Sequence, residues 1–172
     1  MIVFLLGFMG SGKSTVGKKI SSALGWDLID LDKEIERREG KQLHEIFSGE
    51  GEAYFRKIES EVLRDLIADK NLIISCGGGT PCFHSNMDFM VRNGITVYLK
   101  MEAEELKSRL INSHSTRPLI KNLTPEGLLD YINKSLSERE KYYNQSEIIV
   151  KGLDVNILSL KEIILEKFTS QK

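Results

Sequence analysis

The chain has 172 residues, of which 41% are hydrophobic and 28% charged, and its net charge is −1 at pH 7. This size and composition predict one domain over residues 1–172 with a core of its own, as in an ordinary soluble globular protein. The near-neutral charge excludes a general attraction for nucleic acid or an anionic membrane, and no apolar run approaches the ~18 residues of a membrane-spanning helix.

The two cysteines, Cys76 and Cys82, share one apolar and glycine-rich segment. They lack the spacing of a metal site or of a disulfide framework, which suits a reducing compartment. The apolar start of the chain has no basic region before it and so lacks the pattern of a signal peptide. We expect a cytoplasmic protein.

A glycine-rich loop between a strand and a helix opens the chain. Residues 2–6 are an apolar run typical of a buried parallel strand, and residues 15–24 have apolar side chains at helical spacing. Between them, residues 7–15 read GFMGSGKST and match the phosphate-loop pattern G-x-x-x-x-G-K-[ST]. A Gly/Ser turn that binds nothing is the alternative, and both flanking elements disfavour it.

Each residue type in this loop has a use in binding a nucleoside triphosphate. Lys13 reaches the β- and γ-phosphates, and the Ser14 hydroxyl ligates Mg²⁺. The helix N-terminus adds its positive end. The remaining phosphate-binding positions are Gly10, Ser11, Gly12 and Thr15.

A D-x-D pattern follows the second predicted strand. The strand covers residues 26–29 and ends on Asp30-Leu31-Asp32, before a short charged helix over residues 33–39. Side chains two apart on an extended chain point the same way, so we expect both carboxylates to face the nucleotide. One would hold a Mg²⁺-bound water and the other would accept the proton of an attacking hydroxyl. Alternatively, both are solvated acids, one of which caps the helix.

Arg56 lies on a predicted helix over residues 52–68, which follows a short apolar turn or helix at residues 43–47. Glu59 comes three residues later and therefore lies on the same side of the helix. Two interpretations stay open: a surface ion pair, or an arginine aimed into a cleft and fixed by Glu59 for bidentate carboxylate recognition.

Three glycines, Gly77, Gly78 and Gly79, follow a third buried strand at residues 72–75. They predict exposed backbone N–H groups that a ligand can approach without a Cβ in the way. A flexible turn is the alternative.

Helices and strands continue to alternate through the second half. The predicted helices are residues 87–93, 102–111, 124–143 and 159–168, the last with a capping box at Ser159. The predicted strands are residues 95–99 and 148–150. Residues 112–123 are polar and without periodicity, as in a mobile loop. Arg117 in this loop and Arg139 late in the next helix suit phosphoryl and anionic-substrate binding, but isolated arginines are usually surface residues.

Five strands that alternate with helices predict an α/β fold, a five-stranded parallel sheet with helices on both faces. Ligands of such sheets bind beyond the carboxyl ends of the strands. That edge brings together the phosphate loop, the D-x-D pair and the triple glycine. We therefore expect the chemistry there.

The ordered set of motifs resembles the shikimate kinase family over nearly the whole chain. The resemblance covers the phosphate loop at residues 7–17, the D-x-D at 30–32, the F-R-x-x-E within 47–59, the triple glycine at 77–79 and R-P-L-I at 117–120. The phosphate loop alone is generic, whereas this combination is specific. The resemblance implies a three-layer P-loop kinase fold. It also implies ATP-dependent phosphorylation of the shikimate 3-hydroxyl, on the route to chorismate and the aromatic amino acids.

The resemblance implies these roles on the nucleotide side. Lys13 contacts the transferring phosphoryl group, Ser14 ligates Mg²⁺ and Asp30 supports the water shell of the metal. Arg117 closes onto the phosphates, and Arg109 lies against adenine.

On the substrate side, the resemblance implies that Asp32 contacts the shikimate hydroxyls and orients or deprotonates the attacking one. Arg56 and Arg139 hold the substrate carboxylate, and backbone at Gly77–Gly79 contacts the ring hydroxyls. The chain departs from the family's R-x-P-L-Y, because Lys141 and Tyr142 replace its Pro-Leu pair.

The resemblance also divides the domain by role, into a substrate-binding segment at about residues 32–60 and a lid at about residues 112–124. It implies ATP and shikimate as small-molecule partners, and we expect a monomer.

Two rival functions remain. Another small-molecule P-loop kinase, for gluconate or a nucleoside monophosphate, would share the loop and lid but not the full motif set. A regulatory guanine-nucleotide switch would need N-K-x-D, and the one Asn-Lys pair, Asn133-Lys134, is not followed by that Asp.

Overall fold

Five parallel strands form one sheet in the computed structural model, which describes residues 1–67, 71–113, 120, 123–151 and 155–170. Their order across the sheet is β2-β3-β1-β4-β5. The strands are β1 (Ile2–Leu6), β2 (Asp27–Asp30), β3 (Leu72–Ser75), β4 (Ile95–Lys100) and β5 (Ile148–Lys151). All neighbouring pairs are parallel, which confirms the predicted sheet.

Helices connect these strands. They are α1 (Lys13–Leu24), α2 (Leu31–Glu39), α3 (Leu43–Gly49), α4 (Gly51–Asp65), α5 (Asn86–Asn93), α6 (Ala103–Ile111), α7 (Pro125–Tyr143) and α8 (Ile157–Ser170), and a 3-10 turn covers Thr80–Cys82. No helix in the described ranges is long and apolar enough to cross a membrane.

Strand β1 shows why helices cover both faces of the sheet. Its side chains alternate between two cores: Phe4 packs in the cluster that α2, α4 and α5 contribute to, and Leu5 packs in the cluster of α1 and α8. Period-2 alternation sends neighbouring residues to opposite faces, so a fully apolar strand needs cover on both. The three-layer architecture is confirmed.

Sheet register places the functional segments side by side. Leu5 of β1 is paired with Ser75 of β3, and Asp30 of β2 is paired with the same Ser75. The phosphate loop, the triple glycine and α2 all start at this line of residues. Their proximity follows from parallel pairing, as the sequence predicted.

The structure corrects three predicted boundaries. Strand β2 ends at Asp30, and Leu31 already begins α2, because the Asp30 side chain caps that helix by accepting a hydrogen bond from the Lys33 backbone N–H. Asp32 therefore does not lie on extended chain. Helix α4 ends at Asp65, short of the predicted residue 68, which is itself outside the described residues.

The third correction concerns the last helix. It begins at Ile157, and Asn156, not Ser159, is the capping residue: its Oδ1 accepts from the Ser159 N–H at 3.1 Å. Most of the predicted lid, including Arg117, lies outside the described residues.

This assignment predicts that Asn156→Ala lowers the free energy of unfolding by about 1 kcal/mol, the usual effect of losing an N-cap. Ser159→Ala is the matched control in the same turn. It should lower the free energy of unfolding by no more than a few tenths of a kcal/mol. Urea unfolding measures both variants. Equal losses would contradict the assignment of Asn156 as the cap.

Candidate active site

The phosphate loop is built from backbone that only glycine adopts readily. Gly7, Gly10 and Gly12 have φ of 142°, 85° and 93°, and Gly12 directly precedes the first turn of α1. Helix α1 has 12 residues, and its first N–H groups lie at this edge of the sheet. An N-terminus of this kind binds anions, because its N–H groups and the helix dipole both favour negative charge.

Lys13 lies across this loop. Its Nζ donates hydrogen bonds to the backbone carbonyls of Gly7 at 2.8 Å and Phe8 at 2.9 Å. These bonds hold the ammonium group inside the loop, where it faces the same cleft as the α1 N-terminus.

Ser14 and Asp30 form a small oxygen cluster beside the loop. The Ser14 hydroxyl donates to Asp30 Oδ2 at 3.4 Å, while Asp30 Oδ1 caps α2. Asp30 thus both caps a helix, as the second alternative from the sequence had it, and lines the cleft, where its role toward Mg²⁺ stays a prediction. Hydroxyl and carboxylate oxygens are the donors that Mg²⁺ takes from proteins, usually one or two beside water and phosphate. The described residues hold no cluster of three or more His, Cys, Asp or Glu side chains fit for a metal, and this small donor set fits Mg²⁺.

Asp32 occupies the first turn of α2 and is half-buried. Burial raises the pKa of this carboxyl from 3.8 to about 6, and the negative charges of Glu59 and Asp30 add to the rise. Lys13 and Arg56 oppose the shift. A carboxylate with a pKa closer to neutral is a better proton acceptor for a hydroxyl.

Arg56 is fixed by carboxylates and aromatic rings. Its guanidinium bonds Glu59 Oε2 at 2.9 Å and Glu52 Oε1 at 3.0 Å, and it lies 4.4 Å from the ring centre of Phe83. Glu59 is completely buried, and its other oxygen accepts from the Thr80 hydroxyl at 2.6 Å. The surface ion pair is therefore excluded, because the Arg56 side chain is only 13% exposed and its guanidinium is held in place. Its recognition of a substrate carboxylate stays a prediction.

The triple glycine is needed because functional side chains crowd against it. None of the three has positive φ. A Cβ on Gly79 would lie 2.7 Å from Arg56 Nη2, and one on Gly77 would lie 3.0 Å from Asp32 Oδ1. Glycine at these two positions therefore leaves room for the side chains of Arg56 and Asp32, in addition to any room it leaves for a ligand.

Arg139 comes from α7 and meets the same turn. Its guanidinium lies 5.4 Å from the ring centre of Phe8 in the phosphate loop, and its Nη1 is 3.5 Å from the position of a Cβ on Gly78. Tyr143, one helical turn later, donates a hydrogen bond from its hydroxyl to the Gly78 carbonyl. The sequence analysis gave Tyr143 no role, although it is the tyrosine of the R-x-P-L-Y motif and its spacing of four from Arg139 was a usable signal.

Arg109 on α6 lies against the phosphate loop, with its Nη2 3.5 Å from the position of a Cβ on Gly12. It lines the same cleft as Lys13. The structure brings Arg109 to the loop, and its contact with adenine stays a prediction.

Two clefts meet at this edge of the sheet. One, of about 380 Å³, is lined by the phosphate loop, Asp30 and Arg109. The other, of about 770 Å³, is lined by Arg56, Arg139 and residues of α3. The residues that line both are Met9, Asp32, Gly77 and Gly78. A group that passed from one cleft to the other would cross beside Asp32.

The family model described as "Shikimate kinase" matches residues 9–168. The chain belongs to the shikimate kinase family. The match takes in the phosphate loop from Met9 onward, both clefts and α7, so the resemblance stated from the motifs is confirmed.

Individual relatives agree with this assignment. The shikimate kinase of Azobacteroides pseudotrichonymphae is 45% identical over 157 residues, which is 90% of this chain and 92% of that protein. A crystal structure of the enzyme from Bacteroides thetaiotaomicron superposes with a TM-score of 0.90 at 36% identity, over 98% of each chain. The shikimate kinase of Acinetobacter baumannii, solved in complex with shikimate, gives 0.83 at 33% identity and covers 99% of this chain and 94% of that one.

The raised pKa of Asp32 has a consequence for stability. Because the folded state binds this proton more tightly than the unfolded state, the stabilisation is present below pH about 4 and is lost as pH rises through about 6. Asp32→Asn should therefore be more stable than wild type at pH 7, by roughly 1–2 kcal/mol once the lost charge–dipole interaction is allowed for. Urea unfolding from pH 4 to 7.5 should show the difference growing with pH.

Glu34→Gln is the control with the opposite sign, because Arg37 and Arg38 lower the pKa of Glu34 to about 2. Neutralising Glu34 should destabilise the protein at pH 7, because its ion pairs with the two arginines are lost. An Asp32→Asn variant less stable than wild type at neutral pH would refute the raised pKa.

Proposed function

We propose that the protein transfers the γ-phosphoryl group of ATP to the 3-hydroxyl of shikimate, giving shikimate 3-phosphate and ADP. The observation that carries this proposal is the meeting of two clefts at Asp32, one with a phosphate loop and one with two arginines. Family membership supplies the acceptor, which fits a cleft able to hold a carboxylate and several hydroxyls.

On the nucleotide side, the phosphates of ATP lie on the N–H groups of residues 10–15, with Lys13 on the transferring group. Phosphoryl transfer needs positioning and charge neutralisation more than covalent chemistry, and a fixed ammonium group meets that need. Arg109 lines this cleft beside the phosphate loop and is our candidate for the adenine contact. Arg117, from the lid at about residues 112–124, adds a second positive charge on closure and keeps water out.

Mg²⁺ is the cofactor we assign to the pair Ser14 and Asp30. When bound, it neutralises phosphate charge. Ser14 would ligate it directly and Asp30 through water, in keeping with the small oxygen donor set of this site.

On the substrate side, the segment at about residues 32–60 and α7 hold the acceptor. Arg56 and Arg139 bind its carboxylate, and Asp32 orients the attacking hydroxyl and accepts its proton. Gly77, Gly78 and Gly79 contact the other hydroxyls. Every residue assigned a role here belongs to one chain, which supports our proposal that the enzyme is a monomer. Both cysteines are free, as suits a cytoplasmic enzyme.

The experiment that tests this function is ADP release from Mg·ATP with shikimate, with gluconate, with a nucleoside monophosphate and with no acceptor. We expect a rate that depends on shikimate and rises well above the other three. ADP release that ignores every acceptor would reduce the protein to an ATPase. A gluconate-dependent rate would make it a different small-molecule kinase.

Gly79→Ala tests the placement of Arg56. Gly79 has φ −96°, which alanine adopts freely, but the new Cβ would push against Nη2 of Arg56. We expect shikimate affinity to fall about ten-fold or more, the cost of a displaced charge-assisted contact, while MgATP affinity changes less than about two-fold. Isothermal titration calorimetry measures both.

Gly49→Ala is the matched control, because a Cβ at Gly49 meets nothing within 4 Å. It should leave both affinities unchanged. Unaltered shikimate binding in Gly79→Ala would remove Arg56 from the substrate site.

A further inference from the structure

Tyr143 is a buried polar side chain that none of the roles above uses. It is the last residue of α7, its side chain is 0% exposed, and its ring stacks on that of Tyr98 in β4 with centroids 4.8 Å apart. A phenol enclosed in this way needs a partner for its hydroxyl, since an unpaired buried donor is costly. Its partner is the carbonyl of Gly78, 65 residues earlier in the chain.

This hydrogen bond fixes a peptide plane in the substrate site. The Gly78 carbonyl and the Gly79 N–H belong to the same planar trans peptide, so they point in opposite directions. With the carbonyl held toward Tyr143, the Gly79 N–H points away from α7. Gly79 lines the larger cleft. A glycine pair has little conformational preference of its own, so an outside group must set this direction.

Tyr143 also bears on Arg139. The two residues are four apart on α7 and so share one face of the helix. Burial raises the pKa of Tyr143 above its ordinary value, and Arg139 opposes that rise through its charge and its proximity to the phenol oxygen. Arg139 in turn reaches the ring of Phe8 and the Gly78 backbone. The hydroxyl thus bonds the glycine turn at Gly78, and Arg139, on the same face of α7, meets that same glycine.

We propose that Tyr143 is a positioning residue, which sets the direction of the Gly78–Gly79 peptide and the place of Arg139, and thereby the affinity of the larger cleft for its hydroxylated carboxylate. This rests on the proposed function, because the ligand used to measure it is shikimate. Tyr143 itself does not touch the reacting atoms.

Tyr143→Phe tests the proposal. The variant keeps the ring and its stacking on Tyr98, and it removes only the hydroxyl. We expect the Kd for shikimate to rise about ten-fold, the usual effect of one lost hydrogen bond together with a less ordered Arg139. The Kd for MgATP should change less than about two-fold, because the phosphate loop keeps its own hydrogen bonds through Lys13. A merely structural loss would weaken both ligands together.

Tyr98→Phe is the matched control. It removes a phenol oxygen from the same buried stack but not the bond to Gly78, and both Kd values should stay near those of wild type. Titration calorimetry on the full chain gives all values, and urea unfolding shows how far each variant is destabilised. An unchanged Kd for shikimate in Tyr143→Phe would overturn the proposal. So would a parallel weakening of shikimate and MgATP, or an equal effect of Tyr98→Phe.

These failures differ from a failure of the proposed function. If wild type itself binds no shikimate and releases no ADP in its presence, the function is wrong and the role of Tyr143 falls with it. If wild type is active and Tyr143→Phe binds shikimate as well as wild type does, only the role of Tyr143 is wrong.

Discussion

Parallel pairing of β1 between β3 and β4 is the constraint on which the site depends. It forces the carboxyl ends of the central strands to one edge, so the phosphate loop after β1 lies beside the triple glycine after β3. Because β2 pairs with β3 in register, Asp30 and α2 start at the same edge. The two clefts follow from this geometry.

Around that edge, the buried carboxylate of Glu59 organises the substrate side. It bonds Arg56 and Thr80, and its charge helps to raise the pKa of Asp32. A carboxylate beside other acids costs folding free energy at neutral pH, yet the same environment makes Asp32 a better proton acceptor. The environment that suits Asp32 to its proposed role therefore lowers the stability of the folded protein at neutral pH, as is common in active sites.

Much of the fold and half of the site could be predicted, because local pattern determines them. The five strands, most helices and the phosphate loop depend on periodicity and glycine spacing within a few residues. The predicted start of α2 was wrong. The sequence pattern favoured extended chain through Asp32, but the Asp30 side chain caps a helix that begins at Leu31. The predicted cap of α8 was wrong for a similar reason. Asn156 and Ser159 are both suitable capping residues, and only the path of the chain decides which of them caps the helix.

The sequence by itself determined the strand–loop–helix that binds phosphate, the alternation that requires a three-layer fold and the motif set that identifies the family. Tertiary structure alone decided that Arg56 is partly buried in the cleft, that Gly79 makes room for it, and that Tyr143 reaches Gly78. The ion pairs of Arg56 with Glu52 and Glu59 are local, but the contacts that hold Glu59 and Tyr143 in place are not. Glu59 bonds Thr80, 21 positions away, and Tyr143 bonds Gly78, 65 positions away. The distances between these residues depend on how whole helices and strands pack, and spacing within a short stretch of sequence does not predict that packing.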